Sequence, residues 1–242
     1  MDVYKINSFD EIAGGNPYVG RGIIIGTSVD GKHSVIAYFI TGRSDNSRNR
    51  VFVKEGDDII IRAYDESKLK DPALIIYYPV RMTEGALIVT NGDQTDTIRD
   101  FTVRGETFED ALRTREFEPD APNFTPRISG IVEYSNGKAP YKLSILKSTD
   151  SRGSECSRYF YEYRGLPGLG HFIHTYITDG DPVPSFQGEP ERVAVPDDID
   201  ELTDSVWKTL DADNKISLYV RYTSLDDGVY TDRLINKNGG RI

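Results

Sequence analysis

With 242 residues and a formal net charge of -10, the chain is long enough for one large domain. It is too acidic for broad contact with a nucleic-acid backbone, which rests on many Lys and Arg contacts, although a compact pocket for one phosphate remains open. Its single cysteine, Cys156, excludes an internal disulfide and fits a reducing compartment. No apolar run is long enough to span a bilayer, and Met1-Asp2-Val3-Tyr4-Lys5 lacks the basic-then-apolar order of a secretion signal. The expectation is therefore a cytoplasmic protein with neither membrane nor nucleic-acid partners.

Residues 1–18 carry little periodicity and end in Ala13-Gly14-Gly15-Asn16-Pro17, a lead-in to the first strand. Residues 20–26 read as a buried strand that turns through Asp30-Gly31 into a second at 33–41, a hairpin. Next comes Gly42-Arg43-Ser44-Asp45-Asn46-Ser47-Arg48-Asn49-Arg50, unusually basic for this chain. Guanidinium forks match phosphate oxygens, so the stretch is either an anion clamp or a solvated loop. Strand patterns continue at 51–53, 58–64, 73–81 and 86–90, and Leu74 to Arg81 is apolar on both faces, with Pro79 marking a bulge or an edge. On pattern alone Tyr77 is a core or rim aromatic.

The strand Ala86-Leu87-Ile88-Val89 runs into Thr90-Asn91-Gly92-Asp93-Gln94-Thr95-Asp96-Thr97-Ile98, where nearly every residue bears a hydrogen-bonding group. Asn-Gly supplies a sharp turn, and the stretch is either hairpin punctuation or a ligand grip delivered from a rigid edge. A helix is predicted over 107–117, capped by Thr107, with Glu109 and Asp110 first and Arg113 and Arg115 last. It stops before a segment holding Pro119, Pro122 and Pro126, and strands resume at 128–134, 141–147 and 158–164. Cys156 has no neighbour that would lower its pKa.

Arg164-Gly165-Leu166-Pro167-Gly168-Leu169-Gly170 lacks both the Lys-Ser or Lys-Thr ending of a Walker loop and a following helix. The strand predicted over 171–178 puts His171 and His174 on opposite faces, which removes a zinc reading, and puts His174 and Tyr176 on one face. After a polar, proline-rich connection, a second helix runs from 197 or 198 to 210 with Ile199, Leu202, Val206 and Leu210 on one side. Strands at 215–223 and 229–235 close the chain as a hairpin. Many strands with two helices imply layered sheets covered by helices.

Several separated segments together resemble one family, the archaeal-type inosine monophosphate (IMP) cyclohydrolases and their bacterial relatives. They are Tyr18-Val19-Gly20-Arg21, Gly42-Arg43-Ser44 with Asn46-Ser47-Arg48, Tyr77 with Arg81, Asn91-Gly92 with Thr95-Asp96-Thr97-Ile98, and Thr125-Pro126-Arg127-Ile128. The match covers roughly residues 17–135, with Thr175-Tyr176 as a late anchor. The resemblance implies an α+β fold, a four-layer α-β-β-α sandwich similar to the N-terminal nucleophile hydrolases, strand-rich with two main helices and forming a single domain over 1–242. Family members do not use a terminal nucleophile, and here Met1 precedes Asp2 rather than Ser, Thr or Cys.

The implied reaction is dehydrative closure of 5-formamidoimidazole-4-carboxamide ribonucleotide to IMP, with no metal or organic cofactor. By resemblance, Arg48 holds the phosphate or the developing anion, and Arg43 and Ser44 line the same pocket. Tyr77 donates near the formyl oxygen and Glu118 is the general base or orients the carboxamide. Asn91, Gly92, Thr95 and Asp96 bind base or ribose, Arg81 belongs to the substrate site, and Arg127 binds phosphate or fixes Glu118. The expected partner is a purine nucleotide, and the oligomeric state is open, a homo-oligomer included. Two alternatives stand beside this: an amide hydrolase on the same sandwich using Cys156 or an exposed Ser or Thr, and a purine-nucleotide binding protein without catalysis.

Overall fold

The computed structural model describes residues 2–68 and 76–241. Numbered along the chain, β1 (Arg21–Thr27), β2 (His33–Thr41), β10 (Leu169–His174), β11 (Glu191–Ala194), β12 (Lys215–Ser224), β13 (Tyr230–Asn236) and β14 (Gly240–Arg241) form one sheet, ordered β11-β10-β1-β2-β12-β13-β14. The second holds β3 (Arg50–Glu55), β4 (Asp58–Ala63), β5 (Val80–Thr83), β6 (Ala86–Thr90), β7 (Arg127–Glu133), β8 (Tyr141–Ser148) and β9 (Cys156–Tyr163), a meander in chain order. In the first sheet β1 and β2 lie between β10 and β12, so early and late parts of the chain share one layer.

The period of two along each strand sorts side chains into three apolar clusters. Ile23, Ile25, Ile36 and Tyr38 of the first sheet meet Leu87, Val89, Ile128 and Leu143 of the second between the sheets. On the outer face of the first sheet, Ile24, Val35, Phe39 and Val220 pack against Phe9 of α1 (Phe9–Ala13) and Leu202 and Val206 of the helix Ile199–Thr209. On the outer face of the second, Ile88, Ile131 and Leu146 pack against Ile98 of the helix Gln94–Val103 and Phe108 and Leu112 of the helix Phe108–Arg113. Each fully buried Ile contributes about 1.5–3 kcal/mol. The run Ile23-Ile24-Ile25, wholly buried and facing two layers, therefore outweighs any surface ion pair at about 0–1 kcal/mol. Facing Ile25, β7 carries Gly130, whose Cβ would lie 2.5 Å from Ile25 Cδ1.

Asn236 stitches the sheets polarly. Its Oδ1 accepts from Phe52 N at 2.8 Å and its Nδ2 donates to Phe52 O at 3.0 Å, so a side-chain amide of β13 takes the place of a neighbouring strand for β3.

The segment after Asn91-Gly92-Asp93 is a helix, Gln94–Val103, and not a polar turn; its apolar face is narrow, since Ile98 is joined in the interior by Gln94 and Thr95. The 43–50 loop contains α2 (Asp45–Arg48), closed by a reciprocal Ser44–Ser47 cap. Counting along the chain, Gln94–Val103, Phe108–Arg113 and Ile199–Thr209 are α3, α4 and α5. The helix α4 keeps its Thr107 cap but ends at Arg113 rather than at 117, and α5 starts after the cap Asp198. The connection after residue 182 contains β11, and the strand predicted over 171–178 is Leu169–His174. Of the strand predicted over 73–81, residues 73–75 lie outside the described residues, and β5 begins only at Val80. Among the described residues no helix is long and apolar enough to cross a membrane.

Candidate active site

Arg21 opens β1 and Arg50 opens β3, so both guanidiniums emerge where the strands enter the sandwich. There the segments around 43–47, 118–125 and 176–183 close over them and leave a cavity of about 360 Å³. Arg21 and Arg50 line it with Glu118, Asp120, Thr125 and Tyr176, and Tyr18, Arg43 and Ser44 also border it. Arg50 is buried, Arg21 is half-buried, and the Nε atoms of both are buried without an acceptor among the described residues. Burial works against the Arg21 charge, but Tyr18, Glu118 and the tyrosines around it hold the guanidinium above its ordinary value. Arg50 is pushed below its ordinary value by burial and by Arg21, and as an arginine it stays charged. Two adjacent cations with unused donors form a receptor for an anion.

Glu118 is half-buried, and its desolvation pushes the carboxyl above the usual range; Arg21 and Arg127 pull against that, while Asp120 adds to it. Tyr77 does not line the cavity; it is buried in the core between the sheets, within electrostatic reach of Glu118, its Oη 3.2 Å from Tyr38 Oη. Burial raises its phenol against the pull of Arg21 and Arg50. The cavity thus holds a carboxyl with a raised pKa, and a phenol that keeps its proton lies in the core near it, a pairing able to take one proton and give another. Tyr176 Oη lies 2.6 Å from Thr125 Oγ1, whose hydroxyl also donates to Asp120, and the Tyr176 ring stacks on Tyr18.

Of the residues singled out by sequence, Arg43, Ser44 and Glu118 line the cavity. Arg43 is held by the Asp179 carboxylate, donates to Gly180 O at 3.0 Å and lies over the Tyr18 ring. Arg48 does not line the cavity: its Nε donates to Gly42 O and its Nη2 to Asn214 Oδ1, both at 3.1 Å, so it braces the loop from behind. The cation in the place expected of Arg48 is Arg50. Arg81 is also turned elsewhere, paired with Asp96 at 2.8 Å and Asp58 at 3.4 Å and stacked over Tyr78.

Asn91, Gly92 and Thr95 form a buried knot and do not face the cavity. Asn91 Nδ2 donates to Pro126 O at 2.8 Å and its Oδ1 accepts from Ile128 N at 2.9 Å, which fixes the chain on both sides of Arg127. Thr95 Oγ1 meets Thr90 Oγ1 at 2.6 Å, and a Cβ on Gly92 would collide with Arg127 Nη1. Arg127 Nη1 donates to Gln94 Oε1 at 2.6 Å, and its charge acts on Glu118. Cys156 packs on the outer face of the second sheet under α4, and burial pushes its thiol up, away from thiolate chemistry. Among the described residues no three His, Cys, Asp or Glu side chains gather as a metal site.

Arg21 and Arg50 were not singled out as site residues by sequence, although Arg21 ends the Tyr18-Val19-Gly20-Arg21 motif and Arg50 ends the arginine-rich stretch. The signal available was position, since each is the first residue of a strand leaving that end of the core.

A two-sheet α+β frame with two adjacent arginines and a perturbed carboxyl lining one cavity, and a buried phenol nearby, defines an anion-binding site equipped for acid–base chemistry. The chain belongs to the family described as IMP cyclohydrolase-like protein, whose model matches residues 18–228, well past the 17–135 span read from the motifs. It is 31% identical over 182 residues to the IMP cyclohydrolase of Methanopyrus kandleri, covering 70% of this chain and 89% of that protein. It is 27% identical over 163 residues to that of Methanococcus aeolicus, covering 66% and 74%, and 34% identical over 120 residues to that of Methanocella arvoryzae, covering 48% and 57%.

Proposed function

We propose that this chain is an IMP cyclohydrolase that closes 5-formamidoimidazole-4-carboxamide ribonucleotide to IMP with loss of water. The observation that carries the reading is the pair of guanidiniums of Arg21 and Arg50, whose buried Nε atoms lack an acceptor among the described residues, beside the half-buried Glu118 and the buried Tyr77. The arginines bind the anionic groups of the nucleotide, the role the motifs assign to Arg48, and hold the substrate in attack geometry. Glu118 takes a proton from the carboxamide nitrogen as it attacks the formyl carbon, and Tyr77 protonates the formyl oxygen. In the resulting carbinolamine, protonated Glu118 returns its proton to the departing hydroxyl, and the Tyr77 phenolate takes the proton from the former formamide nitrogen. The balance is one water lost and both groups restored.

The helix-covered sheets fit a four-layer α-β-β-α sandwich of the kind found in N-terminal nucleophile hydrolases, used here as one domain over 1–242 and without a covalent intermediate. A cytoplasmic site of action accords with a purine-nucleotide substrate. The test is steady-state kinetics of Tyr77→Phe and Glu118→Gln. Each is expected to cut kcat by at least about 100-fold with KM within roughly threefold, as for a lost acid–base group. Wild-type turnover in both would remove the assignment.

A further inference from the structure

Asp93 has no part in the ring-closing reading, and its bonding is unusual for its position. It stands immediately before α3, where an aspartate ordinarily accepts a backbone N–H of the first turn, yet its side chain makes no such bond. Its Oδ1 instead faces two guanidiniums, Arg115 Nη2 at 2.5 Å and Arg127 Nη1 at 2.8 Å. Arg115 immediately precedes the segment 116–126 and Arg127 immediately follows it. That segment delivers Glu118, Asp120, Asn123 and Thr125 to the cavity. We propose that Asp93 is a positioning residue that closes the 116–126 loop at its base and so sets the place of Glu118; the proposal rests on the ring-closing reading for what Glu118 does.

Near its tip the loop is held by Tyr176 at Thr125 and by Val183 N, which donates to Asn123 Oδ1 at 3.0 Å, and it is also braced from within. Glu118 N donates to Thr125 O at 2.9 Å, Thr125 N donates to Asp120 Oδ1 at 2.6 Å, and Phe117 meets Phe124 edge-on. Phe124 has a φ of 43°, a left-handed conformation that non-glycine residues avoid, so the closed shape needs external support. The two ends of the loop both bear cations, which repel unless an anion lies between them, and Asp93 is that anion.

The charged and titratable groups facing Glu118 are Arg21 from β1, Arg50 from β3, Arg127 from β7, Asp120 from its own loop and Tyr77 from the segment before β5. Of these, Arg127 is the one that Asp93 bridges. Without the Asp93 carboxylate, the Arg127 charge acts undivided on Glu118 and favours its ionised form.

The experiment uses the full chain as Asp93→Asn, Arg115→Gln and the double variant, with kinetics across pH and backbone hydrogen–deuterium exchange. In Asp93→Asn, kcat falls about 10- to 100-fold with KM nearly constant, as for a group displaced by about 1 Å. The pH limb set by Glu118 moves about half a unit lower. Amides within 116–126 exchange faster while those of β7 and β8 keep their protection, and the double variant is no slower than the slower single one. Wild-type kinetics and exchange would overturn the proposal, as would a lower Tm with an unmoved pH limb, which marks a merely structural contact. If wild-type protein fails to close the ring, the functional reading falls by itself, and the exchange of 116–126 in Asp93→Asn alone decides whether Asp93 closes the loop.

Discussion

Replacing Arg50 with methionine should make the protein more stable and less active. Arg50 is 7% exposed, its Nε has no acceptor among the described residues, and burial together with Arg21 pushes its guanidinium below its ordinary value. A buried charge with an unsatisfied donor and a like charge beside it keeps part of its desolvation cost, which an apolar side chain of similar volume relieves. The nearby Glu118 offsets part of that cost in the wild type, so the gain is about 1 kcal/mol, and Tm rises by about 2–4 °C for a chain of this size. For the nucleotide, Arg50 supplies a charge-assisted hydrogen bond of about 1.5–3 kcal/mol, so kcat/KM falls roughly 10- to 150-fold. Thermal unfolding and steady-state ring closure measure the two effects on the same preparation. Arg48→Met is the control: that guanidinium braces Gly42 and Asn214, so kcat/KM stays within about threefold. A Tm several degrees lower in Arg50→Met with unchanged kcat/KM would make Arg50 a structural residue and refute the reasoning.

Burial holds the Glu118 carboxyl above its usual value, so its stability contribution is complete below the unfolded value of about 4.3 and is lost as pH rises through the raised folded value. Glu118→Gln stays neutral, so its Tm advantage over wild type should be near zero at about pH 4 and grow toward about pH 8; a difference constant across that range contradicts the burial account. Asn236→Ala strips Phe52 of both partners of its backbone N–H and C=O and leaves them buried. It should cost about 2–4 kcal/mol and lower Tm by about 5–15 °C, and a loss under about 1 kcal/mol in urea unfolding would show that the stitch between the sheets is dispensable.

The strands were legible because their burial is extreme: Ile23-Ile24-Ile25, Leu87-Ile88-Val89 and Leu218-Tyr219-Val220 face apolar layers on both sides, and no turn residues interrupt them. The helix α3 was not, because its first turn is polar for a purpose other than solvation. Gln94 and Thr95 are buried to bond Arg127, Asn91 and Thr90, which periodicity reads as a loop. The motif Asn91-Gly92 marked an important place but not what it does there, since Gly92 is small to admit Arg127 and Asn91 holds the backbone on either side of it. Among the arginines, sequence put Arg48 before Arg50, and the difference is set by strand geometry. Arg48 ends α2 and turns back to Asn214, whereas Arg50 starts β3 and points into the end of the core. Glu118 could be placed only through its resemblance to a family position, because its setting is made by Arg21, Arg50 and Arg127 from three separate strands.

The central claim is that this chain accelerates ring closure of the formylated ribonucleotide. The direct measurement is the appearance of IMP from 5-formamidoimidazole-4-carboxamide ribonucleotide, followed spectrophotometrically against the same solution without protein, because closure also proceeds slowly unaided. The account predicts a rate proportional to protein, saturable in substrate and reduced at least about 100-fold in Glu118→Gln. A rate equal to the protein-free control at every protein concentration would contradict it.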